Sequence, residues 1–170
     1  TSGTAVLGAV QTLSSASTTT TITETVPPGY AVTAISCSGL GSGTATPNLG
    51  AGSVSLNAAA TAPGNTVTCS FTNTRLPTLQ LRKISNGGVG NFNFSGGNGF
   101  GTDAITTVSQ GVAANGTTRI LSAASTSTPI TESAPSGYFV QAISCTGLGS
   151  GSATPNLSTG AVVLNALATA

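Results

Sequence analysis

The sequence contains no histidine, no methionine and no tryptophan. Histidine is the commonest general base and the commonest metal ligand, so its absence excludes the Ser/His/Asp and Cys/His arrangements of conventional hydrolases. The three cysteines form no CxxC pair, which argues against a metal site. We therefore expect a protein that is not an enzyme and that uses neither a metal nor a cofactor.

Charge is almost as scarce. Four basic and three acidic residues make up 4% of the 170 positions, against roughly 25% in a typical globular protein. Nucleic-acid binding requires clustered lysine and arginine, so this composition excludes it. No apolar run is long enough to predict a membrane span. The amino terminus also lacks the pattern of a signal peptide, and we expect either a mature chain or an internal piece of a longer one.

A ten-residue stretch occurs twice. Thr21–Tyr30 reads TITETVPPGY and Pro129–Tyr138 reads PITESAPSGY. An offset of 108 positions aligns residues 1–62 with residues 109–170 without a gap, and about three in five positions are identical. A period of this length is the size of a small domain rather than of a solenoid repeat. The sequence therefore predicts modules in tandem with a repeat of about 108 residues.

Short alternating runs of β-branched and aromatic residues, separated by Gly, Pro and Asn, predict strands throughout, and no helical period is present. About seven short strands per hundred residues are typical of an immunoglobulin-like β-sandwich, so the predicted fold class is all-β. The predicted strands are Ala5–Leu13, Thr18–Thr25, Tyr30–Cys37, Ser53–Ala58, Thr66–Asn73, Thr78–Ile84, Asn91–Ser95, Ala104–Val108, Thr117–Leu121, Thr126–Ser133, Tyr138–Cys145 and Ala161–Ala166.

The charged residues fall on predicted core-facing positions. Side chains alternate between the two faces of a strand. The only lysine, Lys83, shares a face with two leucines, Glu24 and Glu132 each share one with an isoleucine, and Asn73 shares one with a Val/Cys/Phe series. Burying such groups without partners costs several kcal/mol, so we expect them to meet one another.

A lysine, a glutamic acid and an asparagine in a dry core have a specific reaction available. Desolvation favours the neutral amine and the neutral acid. The amine is then a nucleophile held against the asparagine amide, and the acid polarises the carbonyl and relays protons. The product is a Lys–Asn isopeptide bond, formed once with release of ammonia. The alternative is a buried ion pair with a hydrogen-bonded asparagine and no covalent bond.

These motifs resemble those of CnaB-type modules of bacterial surface proteins and pilins, also called SpaA-like or prealbumin-like. ETVPPGY and ESAPSGY resemble the glutamate motif of the family, LQLRKIS its lysine-bearing first strand, and CSFTNT its asparagine-bearing last strand. The resemblance covers essentially the whole chain and implies an immunoglobulin-like sandwich. It assigns the cross-link to Lys83 and Asn73 and the proton relay to Glu24 or Glu132.

The chain departs from the family in that neither predicted module is complete. The shortest connector, Thr74–Pro77, places the boundary between modules. Residues 1–75 then form the C-terminal part of one module without its first strands, and residues 76–170 the N-terminal part of the next without its last strand. The first part has a glutamate and an asparagine but no lysine, and the second has a lysine and a glutamate but not its asparagine.

The cysteines follow the same division. Cys37 and Cys69 belong to one predicted module, both on core-facing positions, and Cys145 is the repeat of Cys37. A Cys37–Cys69 disulfide would close a long loop and would fit an oxidising, extracellular setting. The alternative is two buried free thiols. The partner of Cys145 is expected outside this chain.

Together these features predict a structural, extracellular repeat protein of the bacterial cell surface, a stalk or filament subunit stabilised by a disulfide and by isopeptide cross-links. Its expected partners are copies of itself or adjacent repeats, arranged head to tail, which complete each module by supplying strands. The alternative is an adhesin whose loops bind a host or matrix protein or a glycan, because fold alone does not determine function.

Overall fold

In the computed structural model, which describes residues 3–170, the chain divides into two compact units, Thr1–Thr74 (unit 1) and Arg75–Ala170 (unit 2). The strands of the described part are β1 (Thr20–Thr23), β2 (Tyr30–Ser38), β3 (Ala45–Asn48), β4 (Ser53–Leu56), β5 (Thr68–Arg75), β6 (Thr78–Leu79), β7 (Arg82–Lys83), β8 (Asn91–Gly96), β9 (Gly101–Thr106), β10 (Ala114–Asn115), β11 (Arg119–Ile120), β12 (Thr128–Ser133), β13 (Ala153–Asn156) and β14 (Ala161–Leu164). A short 3₁₀ helix, Ala166–Thr169, follows β14.

Unit 1 contains two sheets. β1, β4 and β3 form an antiparallel sheet with β4 in the centre, and β2 pairs with β5 in a second sheet. β2 and β5 run in opposite directions, because Cys37 near the end of β2 is bonded to Cys69 near the start of β5, whereas the Thr33 hydroxyl meets Thr72 and Thr74 near the end of β5.

Unit 2 repeats part of this arrangement and extends it. β13, β14 and β12 pair with the same registers as β3, β4 and β1, each shifted by the repeat length. β8 and β9 then add to the free side of β12 and complete a five-stranded antiparallel sheet. Two short ladders, β7 with β10 and β6 with β11, lie outside this sheet. The all-β prediction is confirmed.

The core of unit 2 depends on the strands that extend its sheet. β8, β9 and the turn between them contribute four buried side chains, Phe92, Phe94, Phe100 and Ile105, which pack with Ile130 of β12. Ile130 is 3% exposed, whereas its repeat counterpart Ile22 in unit 1 is 38% exposed. The prediction that the isoleucine beside each glutamate lies in the core is therefore wrong for unit 1, whose described residues include no counterparts of β8 and β9.

Both units share one turn that the repeat preserves. The side-chain oxygen of Asn57 accepts two backbone N–H groups at 3.0 Å, and its counterpart Asn165 does the same. Gly43 lies against this turn, where a Cβ would come within 2.0 Å of the backbone nitrogen of Ala60, and Gly151 makes the equivalent approach in unit 2. Only glycine permits such a close approach of two backbone segments.

The predicted strand Ala5–Leu13 is wrong. None of these residues lies in a strand, and the side chains of Val6, Leu7 and Val10 are almost fully exposed. In unit 2 the repeat counterpart, residues 113–121, contains β10 and β11, which pair with β7 and β6. The described part of unit 1 offers no counterpart of β6 or β7, so this segment has the sequence of a strand but no ladder to join.

The predicted strand Tyr138–Cys145 is wrong for the matching reason. Its counterpart in unit 1 is the nine-residue β2, which pairs with β5. Among residues 3–170 no strand pairs with Tyr138–Cys145, although Tyr138, Ile143 and Cys145 still pack against the core of unit 2. The segment thus keeps its inward-facing side chains in place without backbone pairing.

Three further differences concern strand edges and ends. β3 and β13 were not predicted, because both have the sequence Ala-Thr-Pro-Asn and proline disfavours central strands; each lies at the edge of its sheet, where proline is tolerated. The two-residue strand β10 was also not predicted, and the predicted Thr78–Ile84 strand is divided into β6 and β7.

In residues 3–170 no helix is long and apolar enough to cross a membrane.

Candidate cross-linking site

Unit 2 brings Lys83 and Glu132 together. Lys83 lies on β7 with most of its side chain buried, while its neighbour Arg82 is exposed. Glu132 lies on β12, between two exposed residues. The Lys83 Nζ donates to Glu132 Oε1 at 2.6 Å, and the two side chains are only 13% and 9% exposed. An ionised pair and a neutral amine–acid pair both satisfy this geometry.

Aromatic side chains cover the lysine. The Lys83 Nζ lies 4.3 Å from the centre of the Phe92 ring, a favourable position for a cation over an aromatic face. Tyr138 packs edge-on against Phe92, with ring centres 5.1 Å apart and planes at 84°, and its hydroxyl donates to the carbonyl of Val89. These contacts limit the access of water to the amine.

Unit 1 brings Glu24 and Asn73 together. The Asn73 Nδ2 of β5 donates to Glu24 Oε1 at 2.5 Å. The other oxygen of each side chain, Glu24 Oε2 and Asn73 Oδ1, is buried and takes part in no hydrogen bond with any residue of the described range 3–170. Buried polar atoms are nearly always satisfied in folded proteins, so two such acceptors side by side mark a place suited to a hydrogen-bond donor.

The two pairs share one repeat position, because Glu24 and Glu132 are separated by the repeat length. A carboxylate has two oxygens and can bind an asparagine amide with one and a lysine amine with the other. The structure therefore places the three residue types expected for the cross-link in two partial sets: Glu24 with Asn73, and Lys83 with Glu132. Lys83 and Asn73 belong to different units, so neither unit contains all three.

The cysteines form one disulfide. Cys37 of β2 is bonded to Cys69 of β5, at a sequence separation of 32, which replaces the alternative of two free thiols. Cys145 is a free thiol within the described part of the chain and is half-buried. Its burial raises the pKa of the Cys145 thiol above the ordinary value, because desolvation disfavours the thiolate.

Two features of unit 2 were not predicted. The first is the position of Phe92 over Lys83. Alternation along β7 does not indicate this contact, because Phe92 lies on a different strand, β8. The second is a polar cluster around Asp103, whose carboxylate accepts the Thr117 N–H at 2.9 Å and lies 3.8 Å from the guanidinium of Arg119.

Within residues 3–170 no group of three or more Cys, Asp or Glu side chains is arranged to hold a metal ion.

Comparison with known proteins agrees with the motifs. A SpaA-type family model, described as a prealbumin-like fold domain, matches residues 1–75 and residues 79–170. No curated protein and no solved structure gives a match. SpaA-like domains are structural modules of bacterial surface proteins, and the match covers almost the entire chain and confirms the resemblance of its motifs. The chain belongs to the SpaA-type family of prealbumin-like fold domains.

Proposed function

We propose that this protein is a structural, extracellular repeat subunit of a bacterial surface stalk or filament, whose modules are locked by Lys–Asn isopeptide bonds. The observation that carries the proposal is the pair of contacts at one repeat position: the Asn73 amide on Glu24 in unit 1 and the Lys83 amine on Glu132 in unit 2. If both contacts are made to one glutamate, the lysine amine, which is the nucleophile, and the asparagine amide carbon lie at the same carboxyl group.

The reaction balances without any cofactor. The neutral Lys83 Nζ attacks the Cγ of an asparagine equivalent to Asn73, while the protonated carboxyl of the shared glutamate donates a hydrogen bond to Oδ1 and polarises the carbonyl. The Nζ–Cγ bond forms and the Cγ–Nδ2 bond breaks. A proton from the amine passes through the carboxyl group to the leaving nitrogen, which departs as ammonia, and the glutamate ends unchanged. Each site reacts once, as expected for a cross-link rather than an enzyme.

The division of the three residues between the units supports assembly. We interpret residues 1–75 as the C-terminal part of one module and residues 76–170 as the N-terminal part of the next. Unit 1 has the glutamate and asparagine, and unit 2 has the lysine and glutamate. Two such deficits are complementary, so an adjacent repeat or another copy, joined head to tail, supplies what each unit needs. Because the two complementary surfaces differ, the contact is heterologous, and the proposed filament requires that successive copies do not close into a ring.

The test is a chain extended after Ala170 by a second copy of residues 63–75, which continues the repeat and brings an asparagine-bearing β5 sequence into unit 2. We expect the intact mass to fall by one ammonia, and proteolysis to yield a branched peptide that joins Lys83 to the added asparagine. Glu132→Gln in the extended chain abolishes this product, because the amide cannot relay the proton.

The matched control is Arg82→Gln, which removes a charge from the exposed side of the same strand and leaves the cross-link unchanged. Recovery of Lys83 as an ordinary tryptic site in the extended chain, with no loss of mass, overturns the covalent proposal and leaves the three residues as a polar cluster.

A second candidate function is ligand binding, favoured by one observation. The exposed face of β8, β9 and β12 in unit 2 borders an open cavity of about 600 Å³, whose lining combines apolar groups, among them Phe94 and Ala104, with hydroxyl groups and with the charged side chains of Asp103 and Arg119. Unit 1 has no counterpart of β8 and β9 among its described residues. If the protein is an adhesin, we expect it to bind a glycan or a matrix protein, and we expect Arg119→Gln to abolish that binding. If it is a purely structural subunit, we expect no such binding.

A further inference from the structure

We propose that Asn86 and Gly87, in the loop that joins β7 to β8, form a site of spontaneous backbone modification, at which the asparagine cyclises to a succinimide and then opens to aspartate or isoaspartate. The sequence contains three Asn-Gly pairs, at positions 86–87, 98–99 and 115–116. Glycine after asparagine favours this reaction, because it has no Cβ to hinder the approach of its nitrogen to the asparagine side chain. The structure distinguishes the first pair from the other two.

The reaction needs only water. The Gly87 backbone nitrogen loses its proton to hydroxide and attacks Cγ of Asn86. The N–Cγ bond forms, the Cγ–Nδ2 bond breaks, and the amide nitrogen takes a proton from water and leaves as ammonia. A water molecule then opens the ring at one of its two carbonyls and leaves a new carboxylate. The reaction therefore requires a backbone nitrogen without a hydrogen bond and a side chain that can turn toward it.

Asn86 and Gly87 meet both requirements. Both residues are exposed, and neither the Asn86 side chain nor the Gly87 N–H forms a hydrogen bond with any residue of the described range 3–170. The base of the loop is held, because the Ser85 hydroxyl donates to the Gly88 carbonyl at 2.8 Å and the Ser85 carbonyl accepts the Gly111 N–H at 2.9 Å. The accessibility of the Asn-Gly pair is thus a property of the folded loop.

The second pair is blocked at its side chain. The Asn98 Nδ2 donates to the Ala123 carbonyl and to the Thr128 hydroxyl, both at 2.9 Å. The Asn98 Oδ1 accepts the Ala123 N–H at 2.9 Å. These bonds connect the turn between β8 and β9 to the segment that enters β12. All three must break before the side chain can turn toward the Gly99 nitrogen.

The third pair is blocked at its nitrogen. Asn115 is exposed, but the Gly116 N–H donates to the Leu81 carbonyl at 2.9 Å and the Gly116 carbonyl accepts from Gln80 Nε2 at 3.1 Å. The Asp103 carboxylate lies against Gly116, where an added Cβ would collide with Oδ2. A negative charge at this place opposes the loss of the Gly116 proton. Of the three pairs, only the first is ready to react in the folded chain.

The modification changes the surface on which it lies. Exposed apolar side chains flank the site, those of Ile84 and Val89 in the same loop and that of Val112 beside Gly111. A new carboxylate brings the acidic residues from three to four, so that they equal the four basic residues and the formal net charge falls from +1 to 0. Isoaspartate also inserts a methylene group into the backbone of the loop. Modified and unmodified chains therefore differ in charge at an otherwise uncharged surface.

The test uses the whole folded chain and hydroxylamine, which attacks a succinimide and cleaves the chain after the asparagine. At mildly alkaline pH we expect two fragments, residues 1–86 and residues 87–170, identified by mass. Cleavage after Asn98 and Asn115 is at least about tenfold slower, because hydrogen bonds must open first. In urea these bonds are lost, and the three rates come within about threefold of one another. Similar rates at the three sites of the folded chain, or no cleavage after Asn86, overturn the proposal.

Two variants test the assignment. Asn86→Ser removes the amide that leaves, and we expect the folded chain to show neither cleavage nor loss of ammonia at this site. The matched control Asn115→Ser removes an exposed asparagine from another Asn-Gly pair, and the rate after Asn86 stays within about twofold of the original. Cleavage between residues 86 and 87 that persists in the Asn86→Ser chain contradicts the mechanism.

The succinimide and the proposed isopeptide bond each release one ammonia, but the two reactions can be told apart. Trypsin recovers Lys83 as an ordinary site beside a succinimide, whereas an isopeptide bond gives a branched peptide. In the extended chain, a loss of ammonia that Asn86→Ser removes and Glu132→Gln does not is the succinimide. A loss that only Glu132→Gln removes supports the isopeptide bond and contradicts modification at Asn86. Each proposal can therefore fail without the other.

Discussion

The same substitution at the two repeated glutamates is expected to have different effects on stability. Glu132→Gln leaves the Lys83 amine buried without an ionic partner. At a separation of 2.6 Å the attraction between the two charges is about 6 kcal/mol with an effective dielectric constant of ~20. Desolvation offsets much of this attraction, and removing one partner of a buried pair costs about 3 to 5 kcal/mol. Because 13% of the lysine side chain remains exposed, we expect a loss of about 3 kcal/mol.

Glu24→Gln is expected to be neutral or stabilising. Among residues 3–170 no cation pairs with Glu24, and the buried Asn73 Oδ1 lacks a hydrogen-bond donor. A glutamine at position 24 accepts the Asn73 amide through its carbonyl and gains an NH₂ group that can donate to this oxygen. A hydrogen bond of this kind contributes about 1 kcal/mol, so unit 1 becomes up to about 1 kcal/mol more stable.

Urea denaturation measures each unit through its own tyrosine, because the chain has two tyrosines and no tryptophan. Tyr30→Phe leaves Tyr138 to report on unit 2, and Tyr138→Phe leaves Tyr30 to report on unit 1. The matched control is Lys83→Met combined with Glu132→Gln, whose cost falls below the sum of the single costs by at least about 2 kcal/mol. Equal losses for the two glutamine variants, or additive losses for the double variant, would refute the reasoning.

Three other predictions concern the disulfide, the turn shared by both units and the free thiol. Replacing Cys37 and Cys69 with alanine costs unit 1 about 4 kcal/mol, the loop-closure value for a sequence separation of 32; a loss below about 1 kcal/mol in urea denaturation contradicts it. Gly43→Ala costs about 2 to 3 kcal/mol because its Cβ would meet backbone 2.0 Å away, whereas Gly8→Ala, in open space, changes stability by less than about 0.5 kcal/mol; similar values for both would contradict this. Alkylation of Cys145 has a pH–rate midpoint above that of the urea-unfolded chain, because burial raises the pKa of its thiol; identical midpoints would show that the site is not desolvated.

The fold class and the family could be predicted from the sequence, because they depend on local alternation and on motifs that recur at a fixed spacing. The glutamate motif, the lysine strand and the CSFTNT strand can each be identified without knowing which residues surround them in the fold. The strand ends of β2, β4 and β8 follow their apolar alternation closely for the same reason. Edge strands such as β3 were not predicted because their proline is compatible with pairing on one side only.

The two wrong strands show what local pattern does not contain. Residues 5–13 and residues 138–145 have strand-like sequences, but a strand is defined by hydrogen bonds to a partner, and pairing is a property of the whole unit. The same limit applies to the site. Alternation placed Lys83 and Glu132 on inward faces, yet the Phe92 ring over the amine depends on how two separate strands, β7 and β8, pack in three dimensions, which no spacing along the chain encodes.

The prolines of the two edge strands also affect how such modules can aggregate. Pro47 and Pro155 lie opposite Val54 and Val162 of the adjacent strands, and because proline has no N–H group, these positions offer no donor to a neighbouring sheet. Each edge strand is only four residues long, and the loss of one donor removes much of its capacity to bind a neighbouring sheet side by side. A proline in the middle of so short an edge therefore disfavours side-by-side aggregation of modules through these two strands.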